Sequence, residues 1–275
     1  MRLLKLWILV LIPLLGTSIV NGQGWMKSIG DIYDFPYSLE VLENGGYLVV
    51  CEAQISTAPN GRIIRTDDNG TVLWRKDYIF PNIGGVAEMN NNNFLIVHDL
   101  DQNQDSIGVS EIDVNGNLLW TKKLESGLNG MGPNGAEIVQ TFDQKFVVKT
   151  QSGFIHKIDS IGDPLWSYRV DTIDINPVDW QYDFLTHQVI TKGVQEMSDE
   201  SLIIVGTDAL NQNTSRIALV QLDKNGNLLF KKEYPINNPS FKEVARCFIL
   251  TQDGGVLIGG EVDTTGIFIK NMFKN

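Results

Sequence analysis

Asp113, Asn115 and Asn117 stand at alternate positions of the stretch DVNGNLLW, and three oxygen-bearing side chains so spaced could begin a calcium loop. A calcium loop needs six or more oxygens, including a carboxylate some residues further on, whereas Leu-Leu-Trp follows here. The competing reading is hairpin grammar: Asn-Gly supplies the positive φ angles of a two-residue turn, and the Asp caps the turn's own N–H groups. The recurrence of the phrase decides between them. Asp67 opens DDNGTVLW, Asp159 opens DSIGDPLW and Asp223 opens DKNGNLLF, each with an aromatic seven residues later. Asp67, Asp113, Asp159 and Asp223 therefore read as hairpin turns, with no metal expected.

Other chemistry is sparse. Glu52, Asp99, Asp208 and Glu261 lie near the ends of corresponding strand-like runs. Glycoside hydrolysis needs only two carboxylates, so these could converge on one face; capping or solvent exposure is the competing role. His98, His156 and His187 are the only histidines, and His98 and His156, which fall in strand-like runs, have no companion at ligand spacing, so they read as ordinary packed or surface residues. There is no G-x-S-x-G, H-E-x-x-H, Walker loop or C-x-x-C. No catalytic residue is named and no cofactor is expected.

The elements that would position these groups follow from the repeat. A second phrase interleaves with the first: NGGYLVVCEA, NNNFLIVHDL, DQKFVVKTQS, DESLIIVGTD and DGGVLIGGEV, starting at steps of 47, 52, 56 and 54 residues. Each period holds four strand-like runs, in the second period about 84–90, 93–99, 107–113 and 117–124. No convincing helical period is present. The expected fold is all-β: a five-bladed β-propeller of four-stranded antiparallel blades. The last period stops at GIFIKNMFKN, the third strand, with Met272 where the turn Asp would stand. The missing strand aligns with GWMKSIG (24–30) near the other end of the chain, so the N-terminal strand is expected to complete the last blade and close the ring. Trp25, Trp74, Trp120, Trp166 and Phe230 would be the equivalent pegs between blades, each burial worth about 3 to 5 kcal/mol by truncation. Leu118, Lys122 and Leu124 share the face of Trp120, and the lysine stem is expected to run outward.

The paired phrases TQDGGVLIGG and QLDKNGNLLFKK resemble the repeats of secreted β-propeller proteins frequent in Bacteroidota-type bacteria. The Asp-x-x-Gly-x-x-x-Trp grammar is similar to that of quinoprotein-like propellers. The resemblance runs from about residue 24 to 275; it implies architecture, and propellers host enzymes, lectins and scaffolds alike.

In such a fold the short turns share one face, and the connections between second and third strands and between blades share the other. The second set is long and unlike itself: ISTAPN, DLDQNQDS, DALNQNTS and ESGLNGMGPNG. Varied loops on a rigid frame are where binding usually resides. The step from Trp166 to Phe230 is 64 residues against 46 for each of the two preceding Trp steps, and the excess is DTIDINPVDWQYDFLTHQ (171–188). Trp180, Tyr182 and Phe184 alternate there with Gln181 and Asp183, next to Asp179. Rings beside carboxylates suit a sugar or a cationic group; a lid over the adjoining core is the competing reading.

Residues 1–22 have the pattern of a secretory signal peptide: Arg2 and Lys5, an apolar run from Leu3 to Leu15, then Val20 and Gly22 before a cut ahead of Gln23. Residues 23–275 would be a single propeller domain with no further segment of membrane-spanning length, located outside the cell, in the periplasm or at the cell surface. Removing Arg2 and Lys5 from the 22 basic residues leaves 20 against 33 acidic ones, a net charge of −13. That argues against a nucleic-acid binder. Cys51 and Cys247, the only cysteines, fall in the first and fifth blades; a disulfide and two buried thiols both remain open. The expected function is non-enzymatic binding or scaffolding through the variable loop face, with a glycan or protein partner. The alternatives are a carbohydrate-active hydrolase with carboxylates around the channel, and a structural envelope component.

Overall fold

In the computed structural model of the chain, residues 29, 34–53, 60–80, 83–100, 106–125, 136–150, 153–170, 190–211, 214–234, 243–262 and 266–272 are described. They form five antiparallel sheets in chain order. The first comprises β1 (Asp34–Val41), β2 (Tyr47–Ala53), β3 (Asn60–Thr66) and β4 (Val72–Tyr78). The second is β5 (Ile83–Glu88), β6 (Phe94–Asp99), β7 (Ser106–Ile112) and β8 (Leu118–Glu125). The third is β9 (Glu137–Gln140), β10 (Phe146–Lys149), β11 (Phe154–Ile158) and β12 (Pro164–Arg169). The fourth is β13 (Ile190–Glu196), β14 (Leu202–Asn211), β15 (Thr214–Leu222) and β16 (Leu228–Tyr234). The fifth is β17 (Glu243–Leu250), β18 (Val256–Val262) and β19 (Gly266–Met272). The second-sheet strands fall within a residue or two of the ranges read from the repeat. No helix occurs among the described residues, and none there is long and apolar enough to cross a membrane.

Burial explains why the runs are strands. Every residue of β6, FLIVHD, is buried, because this strand has sheet on both faces. The outer strand β4, VLWRKDY, is mostly exposed except at Trp74, Lys76 and Tyr78. Four core clusters lie between successive sheets, each shared by two of them. Leu48, Val50 and Ile63 of the first meet Phe94 and Ile96 of the second, and Trp74 packs against that cluster. The other three seams repeat the plan, with Trp120, Trp166 and Phe230 packed against them in turn.

Sheet one keeps an apolar edge open. Leu39 and Val41 on β1 are 58% and 67% exposed, whereas their counterparts by register in sheet two include Val86, which is buried. On sheet five, Cys247 and Ile249 of β17 are exposed on the side turned away from sheet four.

The turns depart from the two-residue hairpin expected. Gly116 N–H donates to Asp113 O at 2.8 Å and Asp113 N–H to Asn117 O at 2.9 Å, and only Gly116 of the turn has positive φ. This is the three-residue form, an ordinary turn followed by one left-handed residue; a separate register offset follows in the ladder, between Glu111 and Ile112. The turns ending each first strand have their own left-handed position, filled by Gly45, Asn92, Gln144, Glu200 and Gly254.

Candidate functional site

The Asp carboxylates hold backbone. Asp113 Oδ1 accepts from the N–H groups of Asn115 and Asn117 at 2.9 and 2.8 Å, and Asp67, Asp159 and Asp223 repeat the pair. These donors, the Asn117 N–H first, hold the Asp113 carboxyl below its ordinary range. N–H groups aimed at an oxygen favour an anion there and disfavour a metal cation.

Three of the four turns, those of Asp113, Asp159 and Asp223, also receive the aromatic peg of the sheet before them. A Cβ on Gly116 would lie 3.0 Å from Trp74 Cη2, one on Gly162 only 2.5 Å from Trp120 Cη2, and one on Gly226 2.7 Å from Trp166 Cδ2. Trp74 Nε1 donates to Val114 O and Trp166 Nε1 to Lys224 O, both at 3.0 Å. Tyr78 Oη adds a bond to Gly116 O at 2.7 Å. The lysine two residues after the peg does not run out to water as expected: Lys76 Nζ reaches Asn117 Oδ1 at 2.6 Å and Lys122 Nζ reaches Asp163 at 2.5 Å, both across the seam. Hairpin and receptacle are thus one structure, which the sequence showed only as a fixed Asp-to-aromatic spacing. Trp25 lies outside the described residues.

The middle seam differs. Trp120 Nε1 donates at 2.5 Å to Glu111, within its own sheet. Glu111 is cross-strand from Trp120 as Arg65 is from Trp74. Arg65 extends over the seam to Val114 O at 2.9 Å, whereas Glu111 turns inward and also accepts from Asn93 at 2.5 Å. Beside it lies a cavity of about 480 Å³ on the turn face, between sheets two and three. Met89, Glu111 and Phe146 are buried at its base; Asn90, Asn91, Gln140 and Gln144 are exposed around it. Gln140 Nε2 donates to Asn90 Oδ1 at 3.0 Å, joining the two sheets. Asp143 takes Lys145 at 3.2 Å and the buried Lys157 at 3.1 Å. Sequence reading missed this place because the turn face looked uniform; the signal was Glu111 standing where another repeat has Arg65.

Glu52 and Glu261, two of the four carboxylates that could have converged, are engaged within their own sheets. Glu52 accepts from Tyr37 Oη at 2.8 Å, Glu261 pairs with Arg246 at 2.8 Å, and Asp99 is fully buried. The side chain of Asp208 lies outside the described residues. His98 is core: it stacks on Phe80 at 3.8 Å between centroids. Its Nδ1 is 2.6 Å from Asp99 O, and a carbonyl only accepts, so Nδ1 carries the proton. Nε2 then accepts from Ser110 Oγ at 2.7 Å, and Ser110 from Thr121 at 2.7 Å. Burial pushes the His98 imidazole down to about 4, and that of His156, bonded to Ser167 at 2.8 Å, equally to about 4. Cys51 and Cys247 are free thiols; Cys51 is buried, but Cys247 is exposed, with no sheet of the described residues packed on its side of sheet five. Among the described residues no cluster of His, Cys, Asp or Glu is arranged to hold a metal. Asp179, Trp180, Tyr182, Asp183, Phe184 and His187 lie outside the described residues.

The sequence matches no protein-family model and no curated protein. Its fold has solved counterparts. The BBS1N structure, solved in complex with ARL6DN, superposes with a TM-score of 0.53 at 11% identity, over 91% of this chain and 70% of that one. The Dos1 propeller superposes with a TM-score of 0.50 at 7% identity, over 82% of this chain and half of that one. A protein of unknown function from Bacteroides caccae gives 0.49 at 13% identity, over 77% and 71%. At these identities the likeness concerns the fold alone: a β-propeller of repeated antiparallel sheets.

Proposed function

We propose that the chain is a secreted, non-enzymatic binding or scaffold propeller that engages a glycan or protein through its loop face. One observation carries this reading. Alternation of strand direction sends every connection between second and third strands, and every connection between sheets, to the end opposite the Asp turns. The short, self-similar turns therefore share one face; the strand ends flanking 54–59, 101–105, 126–135, 171–189 and 235–242, segments whose sequences share no pattern, lie at the other, together with the short connections at 151–152 and 212–213. Residues 171–188, with Trp180, Tyr182, Phe184 and the flanking Asp179 and Asp183, form the main contact.

In this reading residues 1–22 are removed before Gln23, residues 23–275 form one domain, and five blades close into a ring. Residues 24–30 supply the fourth strand of sheet five. The exposed apolar residues Leu39 and Val41 at one end of the series and Ile249 at the other support closure, since each end offers what the other needs to cover. Deleting 171–188 and measuring capture on an array of glycans and surface proteins tests the site: capture is lost, and retained capture refutes it.

A further inference from the structure

We infer that the cavity between sheets two and three, on the turn face and thus away from the loop-face site, is a second binding site, built for a neutral polyhydroxylated ligand such as a sugar residue. Its size suits one: about 480 Å³, within the rough 300–1,000 Å³ of small-molecule sites. Its lining includes four primary amides, those of Asn90, Asn91, Gln140 and Gln144, beside three carboxylates, Lys145 and Ser160. An amide offers donors and an acceptor side by side, the complement of vicinal hydroxyls, each of which also does both. Met89 and Phe146 below and Ile161 at the rim, 58% exposed, provide apolar surface for the C–H face of a ring.

Charge narrows the class. The lining carries three carboxylates against one lysine, and that lysine, Lys145, is already held by Asp143. A phosphate or uronate would enter a field of the wrong sign. The carboxylates are themselves engaged: Glu111 by Asn93 and Trp120, Asp143 by two lysines, Asp159 by two backbone N–H groups. These donors occupy carboxylate oxygens without removing the charge of Glu111 and Asp159, so spermidine is the control for a cationic ligand, while the amides at the rim stay exposed. The space exists because Glu111 folds back onto Trp120 where Arg65 spans the neighbouring seam.

The test is titration of the exported chain with maltose, cellobiose, xylobiose and mannobiose, with digalacturonate and spermidine as charged probes. The readout is the Trp120 indole N–H resonance, identified by its loss in Trp120→Phe. At least one neutral disaccharide should shift it saturably, and Gln140→Ala and Gln144→Gly should each weaken that binding tenfold or more. Gln144→Gly keeps the fold, since Gln144 sits at φ 60, a conformation glycine adopts freely. Binding that survives deletion of 171–188 separates this groove from the loop-face site. No response to any neutral disaccharide, equal binding of a charged probe, unchanged binding in both glutamine variants, or loss on deleting 171–188 would each overturn the assignment.

Discussion

Trp120 lies over Gly162, near enough that a single added carbon on the glycine would sit 2.5 Å from Cη2 of the indole. The two residues belong to successive sheets, so the contact couples the turn of one repeat to the outer strand of the one before. Trp74 with Gly116 and Trp166 with Gly226 repeat it. The Asp-x-x-Gly turn is therefore conditioned twice, by its own hairpin and by its neighbour's ring.

Gly162→Ala separates those two conditions when compared with Gly254→Ala. Both glycines have φ near 80°, but a Cβ on Gly254 meets nothing within 4 Å. Gly254→Ala should cost about 1–2 kcal/mol of backbone strain alone. Gly162→Ala adds displacement of the indole, about 1–3 kcal/mol more. Urea unfolding measures both; equal losses would mean that the ring moves aside freely.

Removing the Asp113 carboxylate with Asp113→Ala should lower the melting temperature, because Oδ1 holds two backbone N–H groups. Calcium in millimolar excess, or its chelation, should leave both proteins unchanged. A calcium-dependent rise seen in the parent and absent in the variant would restore the metal reading.

Glu40 gives stability a pH dependence of unusual sign. Burial, with the Glu88 carboxylate adding to it, pushes its carboxyl up to about 7 from 4.5. The unfolded chain releases this proton between pH 4.5 and 7 while the folded chain retains it, so Glu40 lowers stability as pH rises through that window. His98 and His156 act oppositely: held neutral down to about 4 against an ordinary 6.5, they cost stability as pH falls from 6.5 to 4. Glu40→Gln should match the parent at pH 4.5 and exceed it above pH 7 by about 1–2 kcal/mol, screening by solvent included. Unfolding curves at the two pH values decide it; an equal offset at both would place the effect in packing.

The sequence disclosed the strands and the turns because both are set locally, by alternation at period two and by residues tolerant of positive φ. It misjudged the hairpin because Asn115-Gly116 suits a two-residue turn, whereas the three-residue form leaves only Gly116 left-handed. The separate register offset at Glu111 depends on the partner strand. The cavity was illegible for a similar reason. Glu111 reads as an ordinary strand residue until its orientation toward Trp120 is seen, and that depends on Asn93 in a different turn. Gln144 and Glu200 hold left-handed conformations that their side chains do not advertise.

Closure of the ring can be read from one thiol. Cys247 is exposed on the side of β17 facing away from sheet four, where the proposed ring would bring sheet one. Cys51 is buried, and burial pushes its thiol up to about 11, so it should react slowly in any arrangement. If residues 24–30 complete sheet five, Trp25 docks on the Asp67–Thr71 turn as Trp74 docks on that of Asp113, and sheet one covers Cys247. A thiol reagent at pH 8 should then find both cysteines slow in the exported chain, with Cys247 becoming fast in Trp25→Ala and both fast in denaturant. Fast labelling of Cys247 in the parent chain would mean that the end sheets remain apart, and five sheets would then be an open series.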